Sequence, residues 1–155
     1  MSTVSSGVRG RGRPSEADLR RRMILPAAVT SALIASHHLD HAFRQVHIGW
    51  PLTDRVNPFT FSLILYPLFL LGIYFTVRGR LWAGYWVGVA TFALTLVTFV
   101  HFRPSPGAES LDQVYGPWNN PILGGIAVAI VFALEFGMVW LLVAAVRVRV
   151  LSGRW

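Results

Sequence analysis

The chain contains no cysteine and no lysine among its 155 residues, and only seven of its side chains are acidic. The absence of cysteine excludes disulfides, thiolate metal sites, iron–sulfur clusters, covalently attached c-type haem and a cysteine nucleophile. The absence of lysine excludes a Schiff-base lysine and the lysine of a P-loop. All fourteen basic residues are therefore arginines, and they give the chain a formal net charge of +7.

What is abundant is apolar side chains. Hydrophobic residues make up 54% of the chain and charged residues 14%, and the mean hydropathy is +0.51. These values are typical of an integral membrane protein rather than a soluble domain of this length. The pattern predicts an all-α bundle of four transmembrane helices, with an arginine-rich disordered tail before it and a short tail after it. We expect the tails at 1–22 and 147–155 and the spans at about 23–43, 58–77, 81–102 and 121–146.

Local signals mark several helix features. Asn57-Pro58 and Asn120-Pro121 each combine a good N-cap with a proline suited to the first helical position. Pro67 lies inside the second span and predicts a kink there. An interfacial aromatic belt is expected at the start of the third span, formed by Trp82, Tyr85 and Trp86.

The arginines are distributed unevenly between the two predicted sides. Three of them, Arg44, Arg55 and Arg103, fall on one side, and the other eleven fall on the opposite side. This asymmetry predicts a multi-pass protein of the plasma membrane with both termini in the cytoplasm. A cleaved signal peptide is the alternative for the first span, but its apolar stretch ends in His, Asp and Arg rather than in a small-residue cleavage site. We expect the charge to attract anionic lipid and expect no nucleic-acid partner.

Small residues recur at four-residue spacing. They form one strip on the fourth span (Gly125, Ala129, Ala133, Gly137) and a shorter one on the third (Gly84, Gly88). Such strips allow close helix–helix approach in lipid. The partner helix is left open by the sequence: it belongs to this chain, to a second copy in a homo-oligomer, or to another membrane subunit.

All five histidines are expected at the same outer edge of the bundle. His37 and His41 are four residues apart on one helical face, and Asp40 shares that face as a third ligand or an orienting group. His101, from the third span, arrives at the same edge, while His38 and His47 are weaker candidates. The set indicates a transition-metal site for zinc, copper or iron, or a haem b held between two helices. Acid–base chemistry without metal and plain interfacial polarity remain alternatives. Arg44 argues against a bound cation unless it pairs with Asp40.

Glu135 is a carboxylate near the middle of the fourth span, where an ionisable group is costly and therefore a functional candidate. It is predicted as a proton relay or, alternatively, as a structural hydrogen-bonding group, with Ser31, Tyr66, Thr91, Thr95 and Thr98 as candidate partners. It lies too deep to join the histidines directly. In the loop 103–120, Glu109 and Asp112 are candidates to cover the histidines, although solvated loop positions are the favoured interpretation.

Three functional hypotheses follow. The first is a membrane protein that binds a metal or haem at its outer face. The second is a membrane enzyme that acts on a lipid or quinone by His/Asp/Glu acid–base chemistry. The third is a non-catalytic subunit of a larger membrane complex.

Overall fold

The computed structural model describes residues 14–48, 56–80, 82–103 and 109–153, without the side chains of 45–48. The regular structure in these ranges is entirely helical, which confirms the all-α part of the prediction. A 3₁₀ turn, Gly116–Trp118, precedes the last helix. The helices are α1 Glu16–Ile48, α2 Pro58–Ser62, α3 Leu65–Val77, α4 Ala83–Phe102, α5 Leu111–Tyr115 and α6 Pro121–Ser152.

Three helical segments are long and apolar enough to cross a membrane. They are Pro58–Val77, which comprises α2 and α3, then Ala83–Phe102, and Pro121–Ser152. The first helix is not among them, because three arginines precede its apolar stretch and histidines and charged residues occupy its last third. Its membrane crossing therefore stays a prediction. It begins at Glu16, seven residues before the predicted start at Met23, so part of the predicted disordered tail is helical. Residues 1–13 lie outside the described ranges.

Both predicted helix starts are confirmed. Asn57 Oδ1 accepts a hydrogen bond from the Thr60 amide at 2.9 Å, and Thr60 Oγ1 accepts one from the Asn57 amide at 2.9 Å, which completes a capping box. Asn120 Oδ1 accepts from the amides of Ile122 and Leu123 at 2.9 and 3.1 Å. These caps satisfy amides that a helix start otherwise leaves unpaired.

At the predicted kink in the second span, the α-helix is interrupted for only two residues, whose backbone stays in the right-handed helical region. Pro67 has no N–H, and its ring excludes the carbonyl four residues earlier, that of Leu63. The helix is accordingly interrupted by a turn at Leu63 and Ile64. The amides of Ile64 and Tyr66 bond instead to carbonyls three residues back, at 3.2 and 3.1 Å. The break lets Ser62 and Tyr66 both reach α1.

The predicted strip of small residues on α6 divides into two parts. Gly137 is buried against α1: Thr30 Oγ1 donates to its carbonyl at 3.0 Å, and a Cβ added to it would lie 3.1 Å from Leu33 Cδ1. A Cβ added to Gly125, or to Gly88 on α4, would meet no described atom within 4 Å. The strip thus packs within the chain at one end, and a helix partner for its open end stays a prediction.

The predicted aromatic belt is wrong for Trp86. This side chain is only 1% exposed, and its Nε1 donates to Thr76 Oγ1 at 2.9 Å. Its ring lies over Gly72, where an added Cβ would be 2.6 Å from a ring carbon. The missing side chain of Gly72 therefore creates the space that draws Trp86 into the core. Trp82 remains 42% exposed, as a belt residue should be.

The bundle has two distinct ends. Arg20 Nη1 lies 3.3 Å from the position of a Cβ on Gly79, and Arg149 Nη1 lies 3.9 Å from that on Gly84. The start of α1, the α3–α4 turn and the end of α6 therefore meet at one end, the arginine end. His37 is 17 residues after Arg20 on the same helix, or about 26 Å along its axis. The histidines thus lie at the opposite end, the histidine end.

Candidate metal centre

Three buried imidazoles converge at the histidine end. His37 and His41 lie one turn apart on α1, and His101 comes from the last turn of α4. His37 Nε2 lies 3.0 Å from His41 Nε2 and 3.2 Å from His101 Nε2. One nitrogen of each ring lies within 4.8 Å of the others. The structure therefore groups the three strongest histidine candidates, and this group could hold a metal ion.

The hydrogen bond formed by Nδ1 of His101 determines which nitrogen of the ring carries the hydrogen. His101 Nδ1 lies 3.0 Å from the backbone carbonyl oxygen of Glu109. A carbonyl oxygen only accepts, so Nδ1 carries the hydrogen, and in the neutral ring Nε2 presents its lone pair to His37. Histidines that ligate metals commonly donate their second nitrogen to a carbonyl in this way.

His37 Nε2 cannot form good hydrogen bonds to both of the ring nitrogens that it contacts. This single nitrogen faces two other ring nitrogens, one of which already presents a lone pair. A neutral imidazole nitrogen is either one donor or one acceptor, so it cannot bond well to both neighbours. The Nδ1 atom of His37 is buried and has no hydrogen-bond partner among the described residues. A cation at the centre of the group would accept all three lone pairs.

Beside the imidazoles lies a buried ion network centred on Arg44, whose side chain is fully buried. Arg44 Nε donates to Asp40 Oδ2 at 2.7 Å, and Nη1 donates to Glu109 Oε1 at 2.6 Å. Arg44 therefore does pair with Asp40, which is the condition under which it does not argue against a bound cation. With two carboxylates to one guanidinium, the ionised network carries a formal charge of −1. Arg44 is thus more than neutralised and does not oppose a cation at the histidines.

The favoured interpretation of Glu109 as a solvated loop residue is wrong. Its side chain is 5% exposed rather than solvated, whereas Asp112 is exposed as expected. Its Oε2 lies 3.5 Å from His41 Nε2 and 3.8 Å from His101 Nδ1. The pKa of the Glu109 carboxyl is raised, chiefly by burial, although the hydrogen bond and charge of Arg44 act in the opposite direction. Glu109 therefore covers the imidazoles with a carboxylate.

Asp40, predicted as a third ligand or as a group that orients an imidazole, is not part of the histidine group. Its Oδ2 accepts from Arg44, and its Oδ1 accepts from Trp118 Nε1 at 3.0 Å. Asp40 thus fixes Arg44 in place and connects α1 to the segment before α6. The indole of Trp118 closes this side of the network.

His38, a weaker candidate in the sequence, points away from the group and contacts two side chains of the second span. Its Nδ1 lies 2.9 Å from Tyr66 Oη, and its Nε2 lies 2.7 Å from Ser62 Oγ. Ser62 Oγ also donates to the Phe59 carbonyl at 2.7 Å, so its only hydrogen is used and it accepts from His38 Nε2. Both nitrogens of His38 are therefore occupied in a chain of hydrogen bonds between α1 and the broken helix. The side chain of His47 lies outside the described part of the structure.

A small cavity of about 20 Å³ adjoins the group, bordered by the imidazoles and by apolar side chains such as Phe59, Leu96 and Val100. This is room for one water molecule. From α6, Leu134 borders the cavity rather than Glu135.

Glu135 instead accepts hydrogen bonds from Oγ1 of Thr98, one of its expected partners, at 3.0 and 3.3 Å. Its role as a proton relay stays a prediction.

Comparison with family models, with curated proteins and with solved structures gives no match to this chain.

Proposed function

We propose that this membrane protein binds one transition-metal ion through the Nε2 atoms of His37, His41 and His101. The observation that carries the proposal is the pair of Nε2–Nε2 distances, 3.0 and 3.2 Å. Two nitrogens bound at ~2.0–2.1 Å to a tetrahedral ion are separated by about 3.3 Å. Two of the three nitrogen pairs therefore already have the spacing of ligands, the whole set lies within 4.8 Å, and zinc, copper and iron all accept imidazole nitrogen.

The fourth position of the ion has two candidate occupants. Glu109 Oε2 lies 3.5 Å from His41 Nε2 and 3.5 Å from Arg44 Nη2, while Oε1 is held more tightly by Arg44 Nη1 at 2.6 Å. A shift of Glu109 Oε2 toward the centre supplies a charged oxygen ligand. A water molecule in the adjoining cavity is the alternative. In either case the formal charge of −1 on the ion network offsets part of the charge of a divalent ion.

The geometry favours an ion over haem b and over lipid or quinone chemistry. A porphyrin between two histidines requires a slot between the rings, whereas these rings contact each other through their ligating nitrogens. The adjoining cavity of about 20 Å³ admits a water molecule but neither a quinone ring nor an acyl chain.

Elemental analysis and cobalt titration test the metal proposal. The protein is extracted from membranes, purified through a tag that contains no histidine, and analysed by mass spectrometry for first-row metals. We expect about one ion per chain, and after chelation we expect Co²⁺ to restore one equivalent with the visible absorption of tetrahedral coordination. A purified protein that retains no metal, and whose spectrum does not change with Co²⁺, contradicts the proposal.

We further propose that α1 also crosses the membrane, giving a four-helix bundle in the plasma membrane with the arginine end in the cytoplasm. Apolar side chains along α1 face outward, with Leu25 59%, Leu39 57% and Phe43 68% exposed, as on a lipid-facing helix.

Because the chain lacks cysteine, single cysteines can be introduced and labelled in intact cells to test this topology. With an impermeant maleimide, Ser110→Cys should react at once and Ser15→Cys only after permeabilisation. The reverse pattern contradicts this orientation.

A further inference from the structure

A groove of about 240 Å³ lies between α1 and α6 toward the arginine end, far from the histidines. Three exposed arginines line it, Arg21 and Arg22 from α1 and Arg147 from α6. The rest of its lining is largely apolar and includes Leu25, Trp140 and Val143.

The order of these residues gives the groove a charged mouth and an apolar interior. On α1, Leu25 follows Arg21 by one turn toward the centre of the bundle. On α6, which runs the opposite way, Val143 precedes Arg147 by one turn. The apolar part is open to the surroundings, because Leu25, Trp140 and Val143 are 59%, 44% and 41% exposed. A ligand that fits has an anionic head and a hydrocarbon chain.

We propose that this groove binds one anionic phospholipid, with its phosphate at the three arginines and an acyl chain along Leu25, Trp140 and Val143. Guanidinium groups bind phosphate oxygens through paired charge-assisted hydrogen bonds. Basic pockets between membrane helices are a recurrent means of binding anionic headgroups, and tryptophan favours the headgroup level. The lipid site does not depend on the metal proposal.

Charge-matched variants separate this groove from general attraction to anionic lipid. Arg22→Gln/Arg147→Gln removes two charges from the groove, while Arg78→Gln/Arg80→Gln removes two from the exposed α3–α4 turn at the same end. Each purified protein is equilibrated with phosphatidylglycerol or phosphatidylcholine in detergent, and retained lipid is counted by native mass spectrometry. We expect the wild type to retain one phosphatidylglycerol, the groove variant to retain it at least tenfold less, and the control to stay within twofold. Equal losses in the two variants, or equal retention of phosphatidylcholine, overturn the proposal.

A second pair of variants changes the shape of the groove and leaves its charge unchanged. It tests lipid binding even if the arginine variant does not fold. Val143→Trp fills the apolar part of the groove, whereas Val146→Trp adds the same side chain at a position of similar exposure outside it (41% and 44%). Retention of phosphatidylglycerol should fall in the Val143 variant alone. Retention that is unchanged in it, or that falls equally in both, shows that no acyl chain occupies the groove.

Discussion

His37 and His101 are 64 residues apart in the chain, yet their Nε2 atoms lie 3.2 Å apart. This contact joins α1 to α4, two helices that otherwise pack mainly against α6 rather than against each other. An ion bound between the two side chains would therefore cross-link the bundle at the histidine end, and this gives the site a structural consequence as well as a chemical one.

Replacement of single histidines should separate ligands from neighbours. His37→Ala and His101→Ala each remove a nitrogen from the group, so bound metal should fall to background in both. His38→Gln is the matched control, because His38 is equally buried but uses both nitrogens in hydrogen bonds to Tyr66 and Ser62. Metal content by mass spectrometry is the measurement. Loss of metal in the His38 variant, or its retention in the other two, would show that the ligand set is wrong.

The carboxylate of Glu109 should tune metal affinity. Glu109→Gln keeps the size of the side chain but removes its charge beside His41, and groups that support metal ligands typically contribute 10–100-fold to affinity. We expect a loss of about that size in a Co²⁺ titration. Asp112→Asn removes an exposed carboxylate from the same segment and should leave the affinity unchanged. Equal effects of the two changes would indicate that only overall charge matters.

Bound metal should stabilise the fold, because it connects α1 to α4. A ligand at a hundredfold excess over its Kd stabilises the native state by about 2.7 kcal/mol. The thermal midpoint of the wild type should therefore rise when Co²⁺ or Zn²⁺ is added, while that of His101→Ala should stay constant. A rise of the same size in the variant would place the stabilising ion elsewhere.

Arg44→Met should be among the most destabilising substitutions in the chain. It removes the cation from a fully buried network and leaves the carboxylates of Asp40 and Glu109 without it, at a cost of about 3–5 kcal/mol. Arg103→Met, at an exposed position, should change the free energy of unfolding by only about 0.5 kcal/mol or less. Denaturant titration in detergent measures both. Similar values for the two variants would mean that the network contributes little to stability.

Two glycines test the packing of Trp86. Gly72→Ala places a Cβ 2.6 Å from the Trp86 ring, and such overpacking typically costs about 1–3 kcal/mol. Gly88→Ala meets no described atom within 4 Å and should be neutral or stabilising, because alanine favours a helix more than glycine does. The same unfolding measurement applies, and a neutral Gly72→Ala would show that the ring moves aside freely.

The features that the sequence predicted correctly depend on neighbouring residues. The caps at Asn57 and Asn120 and the break before Pro67 follow from local backbone chemistry. The pairing of His37 with His41 follows from helical spacing. His101 could be added because the length of an apolar span fixes the level at which the span ends.

The features that were missed depend on contacts between distant segments. Glu109 is drawn inward by Arg44, which is 65 residues away, and a loop carboxylate carries no local sign of such burial. A tryptophan at the end of a span looks the same in the sequence whether it faces the interface or the core. The side chain of Trp86 turns inward because Gly72 leaves space for its ring. Ser62 and Tyr66 can reach His38 because the helix is interrupted before Pro67. The clash between the ring of Pro67 and the carbonyl of Leu63 was therefore the sequence signal that pointed to these two partners.

The cover over the imidazoles also sets a time scale. His37, His41 and His101 are each less than a tenth exposed, and Glu109 is tied to Arg44, which is tied in turn to Asp40. An ion that leaves on the side of Glu109 must wait until that chain of ion pairs opens. Along this route its residence time would be governed by the opening rate of the protein rather than by the exchange rate of its imidazole ligands.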